Sequence, residues 1–204
     1  MIRIKFCGLT RWQDIECANL LKPDYIGFVF WKKSRRYTDE DTARQLRSAL
    51  DKSITAVGVF VDEDPERVAH LINEGIIDAA QLHGGEDDEY IAKLRNLIMP
   101  GKVIIKAFRI TSDEDIIKAQ SSTADMILLD AGMGDGAAFD WTMIRDMQRP
   151  YYLAGGLDCQ NVAKAVEMLS PYGVDVSSGI ETDGVKDPEK MKEFAGIVRS
   201  FEVQ

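Results

Sequence analysis

Eight short apolar runs, each followed by a helix-like pattern, constrain this chain more than any other feature. They end near Cys7, Phe30, Val61, Leu82, Ala107, Asp130, Ala154 and Val176, at intervals of roughly 21 to 31 residues. One strand, one helix and two short loops fill such an interval, and eight of these units close into an α/β fold, the (β/α)8 barrel of the TIM type. A doubly wound open sheet also repeats βα units. Eight units with glycine in both late loops favour the closed barrel. Its C-terminal strand ends converge on one mouth, so Cys7 and Asp130, distant in sequence, would face one pocket. This predicts an enzyme.

The strand segments expected are 3–7, 25–30, 54–61, 76–82, 102–108, 125–130, 151–157 and 173–180, with a last helix from about Pro188 to Phe201. The near-continuous apolar runs suit parallel strands buried on both faces. Thr38 or Asp39 is placed to open the second helix, Pro65 suits a first helical turn, and Thr111 to Glu114 resembles a capping box. With 204 residues the barrel is minimal, a single domain over 1–204 with no linker or low-complexity segment.

Formal net charge is −9, which argues against nonspecific binding to nucleic acid or to an anionic membrane. A small anionic substrate is still admitted, because a local cluster of donors outweighs the general field. Cys7, Cys17 and Cys159 are widely spaced, with no CxxC pair and no His at metal-ligand spacing, so neither a disulfide framework nor a metal site is expected. The start, MIRIKFCGLT, lacks the pattern of a signal peptide, and no apolar stretch is long enough to span a membrane. The expected compartment is the reducing cytoplasm.

AGGL (154–157) and SSGI (177–180) follow strands seven and eight, where barrels frequently bind phosphate through backbone N–H groups. Gly155, Gly156, Ser178 and Gly179 are therefore phosphate-binding candidates, although such glycines also make plain turns. Cys7 ends strand one beside Gly8 and is either a base or nucleophile as a thiolate, or a small buried hydrophobe. Asp130 is either a general acid or base, or a cap for the glycine loop after it. Its partly apolar surroundings would favour the protonated donor. Arg36 offers a bidentate fork to a substrate carboxylate, whereas Lys32, Lys33 and Arg35 read as a solvated face. His83 binds substrate or satisfies loop carbonyls. Asp175 either hydrogen-bonds a sugar hydroxyl or holds a neighbouring cation.

Taken together, KFCGLT (5–10), YIGFVFWKKSRRY (25–37), VGVFVDE (57–63), QLHG (81–84), LLD (128–130), FDW (139–141), LAGGL (153–157) and VDVSSGIETDGVKD (174–187) resemble the phosphoribosylanthranilate isomerases, in family order over nearly the whole chain. The resemblance implies the Amadori rearrangement of N-(5-phosphoribosyl)anthranilate to 1-(2-carboxyphenylamino)-1-deoxyribulose 5-phosphate, a step of tryptophan biosynthesis. It implies Asp130 as the acid that opens the furanose ring and Cys7 as the base at C2. It places Arg36 by the anthranilate moiety and phosphate on the two glycine loops. The substrate's anilinic nitrogen serves as electron sink, so no cofactor is expected. The expected partner is a phosphosugar, and the expected assembly a monomer or homodimer. One stretch departs from the family pattern: GMGDGAA (132–138) is a residue short, with Asp135 and Ala137 at the usual polar positions. A related isomerase of the histidine pathway would carry an aspartate in place of Cys7 and a two-fold repeat, and this chain has neither. A catalytically dead phosphosugar-binding barrel would have lost the base, the acid or a phosphate loop.

Overall fold

A computed structural model describes residues 2–130, 141–144 and 147–201. The strands are β1 (Arg3–Cys7), β2 (Tyr25–Val29), β3 (Thr55–Phe60), β4 (Ala79–Leu82), β5 (Val103–Arg109), β6 (Met126–Asp130), β7 (Tyr151–Ala154) and β8 (Gly173–Val176). All pair in parallel with their sequence neighbours, and β8 returns to β1, closing the barrel. The open sheet is thereby excluded. The helices are α1 (Trp12–Leu21), α2 (Glu40–Ala49), α3 (Pro65–Asn73), α4 (Asp88–Leu97), α5 (Asp113–Ser121), α6 (Val162–Leu169) and α7 (Pro188–Ser200). Between β6 and β7 the described residues form only a 3-10 turn, Trp141–Ile144. No helix among the described residues is long and apolar enough to cross a membrane.

Side-chain alternation along each strand sorts the core into two parts. Ile4, Phe6, Ile26, Phe28, Ile104 and Ile127 point outward and pack with the helices. Val57, Ala79, Ile105, Leu128 and Tyr152 point inward and fill the barrel. Cys7 shares the inward parity, near Val29 and Val59. Gly173 leaves room for Tyr152, since a Cβ there would lie 2.3 Å from its ring.

Local chemistry sets the helix starts. Asp39, Asp64, Asp87 and Asp187 each accept a backbone N–H in the first turn of their helices, and Pro65 and Pro188 open α3 and α7. Of the two candidates for α2, Asp39 is the cap. The capping box before α5 runs one residue later than expected, from Ser112 to Asp115, although the Thr111 hydroxyl also meets Asp115 at 2.9 Å. Three strands are clearly shorter than expected: β8 ends at Val176 rather than at 180, where Glu181 N–H turns back to the Ser178 carbonyl, and β4 and β7 are shorter for equally clear reasons. Ile76 and Ile77 donate to the Leu71 carbonyl as α3 ends, and the Asp78 carboxylate accepts from Ala56, so β4 begins at Ala79. Gly155 and Gly156 have φ of 91° and 67°, which ends β7 at Ala154. A small hairpin not expected from the apolar pattern follows β8, made of β9 (Glu181–Thr182) and β10 (Val185–Lys186).

Candidate active site

Cys7, Arg36, His83, Asp130, Gly155, Gly156, Asp175 and Ser178 all line one cavity of about 330 Å³ at the mouth of the barrel. They come from the ends of six strands or the loops after them, as the closed topology requires. Gly179 does not reach the cavity. It packs behind it, in a bridge with Asp158 that ties the loop after β8 to the loop after β7. The glycine loop 132–138, including Asp135 and Ala137, lies outside the described residues. A larger cleft of about 490 Å³ opens outside the barrel between α4 and α5, and none of the expected site residues reaches it.

Cys7 is 8% exposed. Burial pushes its thiol up; Lys5 pulls it down, Asp175 pushes it up and Lys186 pulls it down, and the balance lies above the ordinary thiol range. Space for the sulfur exists because β2 carries glycine opposite: a Cβ on Gly27 would lie 2.9 Å from Sγ. The Cys7 carbonyl accepts from Ser177 Oγ at 3.0 Å, which fixes the end of β1 against β8.

Across the mouth, Asp130 ends β6 with its side chain 28% exposed. His83 Nε2 lies 3.2 Å from Asp130 Oδ2, and Gln81 Nε2 lies 2.9 Å from His83 Nδ1. Gln81 and His83 have inward parity along β4 and its extension, so one strand end presents an amide, an imidazole and access to the carboxyl. Gln81 is 1% exposed and its Oε1 has no partner among the described residues.

Asp175 both points into the barrel and holds a cation: its Oδ1 accepts from Lys5 Nζ at 2.8 Å. Neither residue is freely solvated, at 1% and 8% exposure. Burial works against the Lys5 ammonium, but Asp175 and then Cys7 outweigh it, and its pKa is raised.

Arg36 keeps its bidentate fork, but the fork meets Glu181, with Nε to Oε1 at 2.6 Å and Nη2 to Oε2 at 3.0 Å. Glu181 also accepts from Arg35 at 2.7 Å and from Lys186 at 2.7 Å, so one buried carboxylate gathers three cations. Arg35 lies on the expected solvated face with Lys32 and Lys33, its side chain 60% exposed, and its guanidinium also reaches Glu181. The hairpin makes this cluster. Asp183 and Gly184, at φ of 52° and 81°, form its two-residue turn, which pairs Glu181 with Lys186. Burial opposes the Glu181 carboxylate, but Arg36 and Lys186 hold it below the usual range.

Lys5, Gln81, Glu181 and Lys186 were not picked out as site residues from the sequence. For Lys5 and Gln81 the signal was a polar residue at an inward position of an apolar strand. For the hairpin it was the Asp-Gly pair.

The chain matches the family model for N-(5'phosphoribosyl)anthranilate (PRA) isomerase over residues 4–196. It is 43% identical over 206 residues to the N-(5'-phosphoribosyl)anthranilate isomerase of Endomicrobium trichonymphae, covering 98% of this chain and 100% of that one. Among solved structures, it superposes with a TM-score of 0.86 on a phosphoribosyl anthranilate isomerase in complex with reduced 1-(o-carboxyphenylamino)-1-deoxyribulose 5-phosphate. That relative is 35% identical, with 98% and 100% of the two chains covered. Monomers of a dimeric phosphoribosylanthranilate isomerase from Thermotoga maritima give a TM-score of 0.85 at 35% identity, covering 98% and 99%. The chain belongs to the N-(5'-phosphoribosyl)anthranilate isomerase family.

Proposed function

We propose that this chain is an isomerase of tryptophan biosynthesis, catalysing the Amadori rearrangement of N-(5-phosphoribosyl)anthranilate to 1-(2-carboxyphenylamino)-1-deoxyribulose 5-phosphate. The observation that carries the reading is the meeting of Cys7 and Asp130 in one cavity with both glycine loops. Asp130 in its protonated form donates to the furanose ring oxygen, the ring opens, and the anilinic nitrogen takes up the positive charge as a Schiff base. The Cys7 thiolate then removes the C2 proton to give an enolamine, which tautomerises to the ketone. His83, beside Asp130, orients the acid. Arg36, positioned by Glu181, faces the anthranilate carboxylate. Asp175, with one oxygen committed to Lys5, accepts from a sugar hydroxyl. Backbone N–H groups around Gly155, Gly156 and Ser178 take the phosphate, and Gly179, behind them, holds the two loops together.

Residues 1–204 act as one catalytic domain, and the expected compartment is the cytoplasm. Sedimentation decides between the monomer and homodimer expected for it. Freshly generated N-(5-phosphoribosyl)anthranilate should lose its fluorescence rapidly on addition of the protein, while the aminoaldose of the histidine pathway is turned over far more slowly. If neither is accelerated, the chain is a binding barrel rather than an isomerase. If the histidine-pathway substrate is preferred, the substrate assignment is wrong.

A further inference from the structure

The mechanism needs Cys7 as a thiolate inside a site whose burial favours the thiol. Among the described residues, the charged groups facing the sulfur are few. Beside it, β2 carries Gly27 and Val29, with no charge. Asp175 comes from β8 and Lys186 from β10, and Arg36, His83 and Asp130 line the cavity above. Lys5 stands two residues before Cys7 on the same inward face of β1 and is 1% exposed. A Cβ on Gly27 would lie 2.9 Å from Cys7 Sγ and 3.3 Å from Lys5 Nζ, so sulfur and ammonium share the space that this glycine leaves.

A buried lysine is costly in a barrel interior lined largely by apolar side chains such as Val57, Ala79, Ile105 and Leu128. Its pairing with Asp175 at 2.8 Å removes most of that cost without making the pair better than apolar packing. Stability alone therefore gives no reason for a lysine here, whereas a cation beside the sulfur does. We propose that Lys5, held by Asp175, is a positioning residue that stabilises the Cys7 thiolate while it removes the C2 proton. The Lys5 ammonium, and not the Asp175 carboxylate, borders the space beside the sulfur at Gly27, so the pair presents its positive end to Cys7.

This inference rests on Cys7 being the base, and one experiment separates the two. Alkylation of Cys7 by iodoacetamide is followed against pH by mass spectrometry of the Cys7 peptide, for wild type, Lys5→Met, Lys5→Arg and Asp175→Asn. Lys5→Met should raise the alkylation midpoint by about one to two pH units, Lys5→Arg should restore it in part, and Asp175→Asn should lower it. Turnover by Lys5→Met at pH 7 should fall about tenfold for each unit of that rise, because the thiolate fraction falls in step. A role limited to packing moves none of these midpoints in opposite directions. Should Lys5→Met not fold, Lys5→Met/Asp175→Asn removes both charges and should still raise the midpoint. An unchanged midpoint in the variant that folds overturns the role of Lys5, even if Cys7→Ser is inactive. Full turnover by Cys7→Ser would instead overturn Cys7 as the base, with the midpoints still reporting on Lys5.

Discussion

Gly179→Ala tests whether the two late loops work as one backbone-built cradle. A Cβ at this position would lie 1.9 Å from the Leu157 carbonyl oxygen and 2.8 Å from the Asp158 Cα. Ordinary contact begins near 3.4 Å, so the loops must separate by about 1.5 Å. Both obstacles are main chain, and no rotamer change relieves them. The bridge between Asp158 and Gly179 would be lost, and the N–H groups proposed to take the phosphate would move with it. Overpacking of this kind costs about 1–3 kcal/mol, a fall in Tm of about 2–12 °C for a chain of this size. The functional cost should be of similar size, since a displacement of about 1 Å at a positioning site can reduce turnover about 100-fold, roughly 2.7 kcal/mol. Steady-state kinetics with N-(5-phosphoribosyl)anthranilate should show KM raised at least about tenfold, beside a measured Tm. A KM within twofold of wild type and an unchanged Tm would refute both the loop packing and the placement of the phosphate.

Three further outcomes follow from the buried charges and the helices. Lys106→Met should destabilise the fold by about 3–5 kcal/mol in urea titration, because it strips the cation from Glu86, a buried carboxylate 3.0 Å away that also holds the Asp62 and Gly84 amides. Glu181 has a folded pKa below its unfolded value. Its contribution is therefore complete above about pH 4.5 and disappears as pH falls through the lower folded pKa. Glu181→Gln should lower Tm at pH 7 and flatten the loss of Tm on acidification below pH 4.5, and an unchanged acid profile would contradict the cluster. Gly196→Ala, in α7 with open space around the new methyl, should raise stability by about 0.5–1 kcal/mol and leave KM alone.

Much of this architecture was readable in advance because barrel strands carry a strong apolar signal at regular intervals. Cys7, Leu82, Asp130, Ala154 and Val176, taken from the sequence as run ends, are the last residues of their strands. Boundaries failed where apolar residues serve a turn. Ile76 and Ile77 are buried yet cap the end of α3, so hydrophobicity alone overextends β4. The inward-facing candidates were legible from position, and the cavity gathers them. Their partners were not: no local pattern in RIKFC or GVDV indicates that Lys5 meets Asp175, 170 residues away. Nor does the basic loop announce that Glu181 will hold Arg36, because that pairing depends on a two-residue hairpin turn far along the chain. The Asp183-Gly184 pair was the one available clue.

The division of labour between base and acid is the centre of the account, and the fluorescence decay of N-(5-phosphoribosyl)anthranilate tests it most directly with wild type, Cys7→Ser and Asp130→Asn side by side. Rapid decay with wild type and a loss of at least about 100-fold with each variant, both folded by circular dichroism, is the expected result. Near-wild-type decay with either variant would contradict the assignment of that residue, and with both would move the chemistry elsewhere in the barrel mouth.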